Sequence, residues 1–402
     1  MQRFSVSTIF ALVLVCGSLA SRPALAQEKA EKAVQAKIGP HVEGESPRDM
    51  CNTAKSDFWN SKINAARFET ENGLKRYPKD APLMTLRGDI ELYDCHYAKA
   101  VQTYNQALVL SPTFADAFGG RGEALMRQGK FAEARKDIEK ARSIKPDHFG
   151  FVLDQIGNLD YEAHHRESDP AKKWALATTA SLFNANGTGC ESLAGGVPNE
   201  ELANNCQKLL GEWWGVHSRN DLLDILARLG GPTGMHNQRW QAMRQAHGVY
   251  DKLKNFRSAW DKTEDFDRAL EVLQDHGDEF GDRGLLAWDY ARYMNLCREG
   301  YRAKYFSEAE TWELMAPMAA KIQSLFSSWK QFEDGYLVGR EFWCASIYNK
   351  DKWRYLRNVY RLYNDPNSPF QTVPWNTKLS AKKDNAAIEA VVNKVRGAQR
   401  LD

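Results

Sequence analysis

With 402 residues, 43% of them apolar, the chain has ample material for packed cores and a length that suggests two or three domains. Its 54 basic and 52 acidic residues give a formal charge of +2. Arg3 and Arg22, both in the first 26 residues, account for that excess, so the remainder is neutral. Neutrality speaks against a nucleic-acid partner, which calls for a clustered basic surplus.

The chain opens with Arg3, a nearly wholly apolar stretch from Ser7 to Ala20, and the small-x-small sequence Ala24-Leu25-Ala26. That order predicts a secretory signal peptide over residues 1–26, cleaved before Gln27, and hence a periplasmic or secreted protein. The apolar run is too short to span a bilayer, and no other stretch is long enough, so no transmembrane anchor is expected. Cys16 ends the apolar run, but Val15 stands before it where a lipoprotein signal needs a small residue. Residues 27–48 are charged and without period, and read as a linker.

Beyond the signal peptide lie six cysteines: Cys51, Cys95, Cys190, Cys206, Cys297 and Cys344. An even number in an oxidising compartment favours disulfides. Cys190 and Cys206 bound a Gly-rich segment that packing alone holds poorly, so these two are the expected pair. No CxxC or HxxxH spacing occurs, and neither a metal site nor a cofactor is expected. Adjacent helical residues face different directions, so His164-His165 reads as surface.

A repeat follows over residues 49–147. Residues 81–114 set above 115–148 place Gly88 over Gly122, Ala100 over Ala134, Ala107 over Ala141 and Pro112 over Pro146. Tyr97 then stands over Phe131 and Tyr104 over Ile138, a period of 34. Small residues let paired helices approach, large ones fill the gaps between, and proline ends the second helix. This pattern resembles the tetratricopeptide repeat. A preceding unit, residues 47–80, keeps Ala66 and Pro78 but carries Thr70 and Gly73 at pattern positions, and reads as a degenerate capping repeat. Within the better repeats, Cys95 replaces the usual turn glycine and Glu91 the usual aromatic residue. The resemblance implies a face, lined by the first helix of each hairpin, that holds a protein or peptide partner. Asp89, Tyr93, Glu123 and Arg127 are the residues expected on it. Bracing the following domain is the other role open to so short an array.

Residues 148–172 read as a connector, 173–379 as a helical domain and 380–402 as a tail. Ser218 with Asp221 marks a helix start, and Leu222, Leu223, Leu226 and Leu229 recur at helical spacing up to Gly230-Gly231. Ser307 and Glu310 form a capping box ahead of a helix that Pro317 is expected to kink. No run alternates strictly enough for a strand. The fold class expected is therefore all-α: a short helical-hairpin solenoid, then a separate Trp-rich helical domain.

Five islands in that domain, WWGVHSR (213–219), HNQRW (236–240), AWDYAR (287–292), FSSWKQFEDGYLVGREFW (326–343) and DPNSPFQTVPW (365–375), resemble a bacterial family of unknown function, the one numbered twelve-sixty-six. Lys304 departs from that pattern where a turn glycine is usual. The resemblance implies a fold and no chemistry. On their own, Asp289 and Arg292 are spaced for an ion pair on one helix, and Arg340 is placed to join them. Held by two guanidinium groups, Asp289 would stay charged and serve poorly as a proton acceptor. With His236 these residues form either a polar ligand cleft between tryptophan rings or a set of core contacts. No GxSxG elbow, phosphate loop or HExxH motif is present. The reading is an exported protein-binding or scaffold protein of the bacterial cell envelope. An enzyme or small-ligand-binding protein, with its site in the helical domain, is the alternative.

Overall fold

The computed structural model describes residues 46–60, 62–246, 263–343, 355 and 357–398. The expected signal peptide, most of the linker and Cys344 lie outside them. The chain divides into two compact units, one made from the described residues of 1–164 and 353–368, the other from those of 165–352 and 369–402. Every regular element among the described residues is a helix.

The first unit is a row of helical hairpins. Pro47–Trp59 (α1) pairs with Ile63–Arg76 (α2), Ala81–Tyr93 (α3) with Tyr97–Leu110 (α4), and Ala115–Arg127 (α5) with Phe131–Ile144 (α6). Gly150–His164 (α7) closes the row. The first helices α1, α3, α5 and α7 pack side by side in order. Local chemistry starts α1 and α3: the Ser46 and Asp80 side chains accept from the Asp49 and Leu83 amides, and a proline stands in each first turn. Close approach follows from the small residues of the repeat. A Cβ on Gly88 would stand 2.6 Å from the Tyr104 ring, and one on Gly122 would stand 2.7 Å from Ile138. Ala100, Ala107, Ala134 and Ala141 are wholly buried.

Both departures from the repeat pattern have a structural answer. Cys95 takes the left-handed turn conformation, φ +62°, that glycine usually supplies. Buried Glu91 accepts from the Thr103 hydroxyl at 2.6 Å and pairs with Lys99 at 3.2 Å. The degenerate unit is a true hairpin, in which Gly73 admits Leu83 against its backbone. Two boundaries move. The linker ends earlier, since Pro47 and Arg48 open α1, and the connector is largely the helix α7.

The second unit holds Pro170–Ala177 (α8), Ala180–Ala185 (α9), Glu200–Trp214 (α10), Arg219–Gly230 (α11), Met235–Ala246 (α12) and Thr263–Phe280 (α13). Leu286–Arg302 (α14), Glu308–Leu325 (α15), Trp329–Trp343 (α16) and Asn385–Gly397 (α17) complete it. Helix α14 is the hub, touching α10, α11, α12, α15 and α16. Its contact with α16 is tight because Gly335 and Gly339, one turn apart, face Ala287 and Trp288. Ser218 caps α11, and Ser307 with Glu310 forms the expected capping box on α15, which runs continuously through Pro317. Lys304 occupies its turn at φ +61°.

The expected tail is instead a packed helix. Asp384 caps α17 by accepting from the Ala387 amide, and Ile388, Val392 and Val395 bury one face. Arg219 donates to the Val395 carbonyl at 2.5 Å, tying α17 to α11. Trp174, Trp329 and Trp375 cluster with ring centroids 4.8–5.1 Å apart. The Trp174 and Trp329 indole N–H groups donate to the Trp375 and Val373 carbonyls. Trp174 and Trp329 are core with their indole N–H groups satisfied, and half-buried Trp375 covers them.

The Gly-rich segment is held by an arginine where a disulfide was expected. No bond joins Cys190 to Cys206, and among the described residues no cysteines stand at disulfide distance. Cys206 is buried on α10, its thiol pushed up to about 12 by burial and then by Glu299. Wholly buried Arg298 of α14 donates to the carbonyls of Leu193, Gly189 and Ser192 and to the Thr179 hydroxyl, at 2.6–3.1 Å. Its guanidinium lies 3.5 Å from the centroid of the Phe183 ring. One planar fork thus gathers three loop carbonyls that would otherwise be buried unmet. Arg298→Met is expected to lower the stability of the second unit by roughly 3–5 kcal/mol, measured as the shift of its urea transition.

Candidate functional site

Three of the four residues chosen for the repeat face, Tyr93, Glu123 and Arg127, come together around one short helix. Residues 357–364 are helical and belong to the first unit, although the chain reaches them some two hundred residues after α7. Arg357, Tyr360 and Arg361 share one face at helical spacing. Arg357 donates to Glu123 of α5 at 2.9 Å, across 234 positions of sequence. The Tyr360 ring stacks on that of Tyr93, centroids 4.4 Å apart and planes at 24°. Tyr97 donates to buried Asp365 at 2.5 Å. The helix domain expected over 173–379 therefore loses 353–368 to the repeats. Sequence reading missed Arg357, Tyr360, Arg361 and Asp365, although RxxYR spacing was there to mark a face.

Electrostatics in this groove are uneven. Burial works to raise the Glu123 carboxyl, but Arg357, Arg127 and Arg361 together hold it below its usual range. Arg127 lies 4.0 Å from Glu123. Burial, then Arg127 and Arg357, push Arg361 down to about 9, still charged at neutral pH. Burial also drives Asp89 up to about 6, although the Tyr104 hydroxyl donates to it at 2.7 Å. Of the four expected face residues, Tyr93, Glu123 and Arg127 touch the space beside the 357–364 helix, and Asp89 faces Tyr104 inside its own repeat.

In the second unit Asp289 is fully buried on α14 and acts as a cap. Its oxygens accept from the backbone amides of His236 and Asn237 at 2.9–3.0 Å, and from the His236 ring Nδ1–H at 2.5 Å. The carboxylate thereby meets the exposed donors at the start of α12. Gly234, at φ +66°, makes room for it, since a Cβ there would stand 2.3 Å from Asp289 Oδ2. Neither Arg292 nor Arg340 pairs with Asp289. Arg292 spreads over the Trp214 and Trp288 rings, 4.8 and 5.3 Å from their centroids, while Arg340 is buried on α16. The expected convergence of guanidinium groups gives way to helix capping, because the carboxylate is turned toward the start of α12 and takes three N–H donors there. The His236 ring sits edge-on to Trp343 at 4.4 Å. On α16, buried Glu333 accepts from the Ser181 hydroxyl at 2.5 Å, and burial pushes its carboxyl up to about 8.

Comparison with known proteins finds a separate match for each part of the chain, and the second match runs through residues 353–368 that the fold packs with the repeats. Residues 96–129 and 115–148 each match a tetratricopeptide repeat model. Residues 209–375 match the family described as a protein of unknown function, DUF1266. The Escherichia coli (strain K12) protein YbeR, described as uncharacterized, is 28% identical over 141 residues, 32% of this chain and 54% of that protein. YbeU of the same strain, also uncharacterized, is 32% identical over 66 residues, 16% of this chain and 28% of its own length. Superkiller protein 3 of Schizosaccharomyces pombe is 36% identical over 78 residues, 19% of this chain and 6% of that protein. The chain thus spans about half of YbeR and less of the others. No solved structure gives a significant match.

Two outcomes test the second unit. Asp289→Ala strips the α12 start and the His236 ring of their acceptor, and is expected to cost about 2–4 kcal/mol in urea unfolding. Glu333, near 4.5 when unfolded and about 8 when folded, adds stability that is complete below pH 4.5. That contribution is lost as pH rises toward 8, by up to about 1.4 kcal/mol per pH unit. Melting curves of wild type against Glu333→Gln should therefore show the wild type falling behind between pH 5 and 8, with no further divergence above.

Proposed function

We propose that this is an exported protein-interaction protein of the bacterial cell envelope, whose repeats dock a helical segment of a partner. The observation that carries the reading is the groove itself. Tyr93, Glu123 and Arg127 receive a helix bearing Arg357 and Tyr360, by ring stacking and an ion pair. Helix-in-groove docking is how amphipathic peptides are held by helical receptors. Here the chain's own 357–364 helix takes that place, so a partner helix of like chemistry, basic and aromatic on one face, enters by displacing it. Export rests on the basic, apolar and small-residue order of residues 1–26. The alternative, an active site around Asp289, draws little support from a carboxylate already spent on a helix start.

A photo-crosslinker placed at position 93 tests this in cells. In the wild-type background it should return adducts to residues 353–368 of the same chain. With Arg357→Glu and Tyr360→Ala weakening the internal helix, adducts to one specific second protein should appear in the envelope fraction. A groove that yields only internal adducts in both backgrounds would sink the docking role, and an N-terminus other than Gln27 on the purified protein would sink the export step.

A further inference from the structure

Helix α10 hides one side and leaves the next bare. Ala203, Cys206 and Leu210 are buried where α10 packs on α14, and Gln207 donates to the Ala303 carbonyl just past the end of that helix, at 2.8 Å. Leu209 and Trp213, one turn apart on the adjoining face, are 52% and 69% exposed. Half-buried Leu202 stands two turns ahead of Leu209 on the same line. Among the described tryptophans and phenylalanines none is more exposed than Trp213, whereas its neighbour Trp214 turns to Arg292. Exposed apolar residues scattered singly are ordinary, but a line of them along one helix marks a contact surface. Lys208 and Glu212 run along one edge of this line, both exposed and 3.9 Å apart.

We propose that a second copy of this chain docks on that line, α10 against α10 in antiparallel order about a two-fold axis. The argument is self-complementarity, which such a contact requires because both copies present the same patch. Reversing one helix about the axis sets Leu209 of each copy toward Trp213 of the other. It also keeps the two charged edges on the same side and brings each Lys208 opposite the other copy's Glu212. Parallel order would carry those edges to opposite sides and leave them unpaired. Size then sets the strength. The line offers roughly 300 Å² per copy, against about 800 Å² per partner in a standard interface, so the pair is a weak one that forms where the chain is concentrated. The contact lies in the second unit and asks nothing of the repeats, so it stands or falls apart from the docking groove.

The test is sedimentation velocity of the chain from Gln27 onward, from about 5 μM to 1 mM, where a monomer–dimer equilibrium with a dissociation constant on the order of 0.1 mM is expected. Leu209→Glu and Trp213→Lys change exposed side chains, so each should keep the wild-type melting temperature while weakening the dimer at least about tenfold. Glu212→Lys sets lysine against lysine and should weaken it severalfold. Lys208→Glu joined to Glu212→Lys restores the opposed charges and should restore the dimer. Carbodiimide coupling of a mixture of isotope-labelled and unlabelled chains should join Lys208 of one to Glu212 of the other. The proposal is overturned by a chain that stays monomeric up to the highest concentration, by self-association that survives Leu209→Glu, or by a Glu212→Lys chain that pairs as tightly as wild type.

Discussion

The first unit is closed by a contact between Glu123 and Arg357, groups 234 positions apart that the fold brings to 2.9 Å. Repeat hairpins are otherwise local structures, each stabilised by its neighbours and able to form from short stretches of chain. A helix delivered from residues 357–364 ends that independence. The first-helix face cannot be covered until the chain between α7 and Arg357 has run its course, so part of the repeat unit's stability arrives late and through long-range closure. The stacking of Tyr360 on Tyr93 fixes the register of that delivery, while the ion pair gives it direction.

Charge beside the 357–364 helix is not evenly matched. A groove built for strength alone would match each guanidinium with a carboxylate, or replace both by apolar groups of equal shape. This one sets Arg127, Arg357 and Arg361 against Glu123 and leaves a donor unmet. Like charges gathered in a partly dry space repel, and Glu123 offsets only part of that cost.

Much of the architecture was legible in the residues. The 34-residue period named Gly88, Ala100 and Tyr104 correctly, because close helix pairing permits few side-chain sizes at those points. Caps at Ser218 and Ser307 were equally readable, being local patterns of three or four residues. What escaped notice depends on contacts distant in sequence. Nothing in the spacing of Arg357 and Tyr360 says that their face lies against α3 and α5. Helix α17 was different: its Asp384 cap and its apolar triad at 388, 392 and 395 were in plain view, yet residues 380–402 read as a tail.

The same limit governs the Asp289 constellation. A histidine, an aspartate and an arginine among tryptophans look like catalytic equipment when read as a string, since sequence carries residue types and not the groups they face. In the fold, the start of α12 points its bare amides at α14, and a buried carboxylate is the acceptor able to satisfy several donors at once. His236 adds a further donor from the helix it helps to anchor, and Arg292, left without that carboxylate, rests on indole faces instead. Gly234 is the residue that separates the two readings. Its left-handed backbone exists to let the Asp289 oxygen approach to a distance that any side chain would block. A glycine spent on bringing a carboxylate against a helix start, at full burial, describes a joint between two helices.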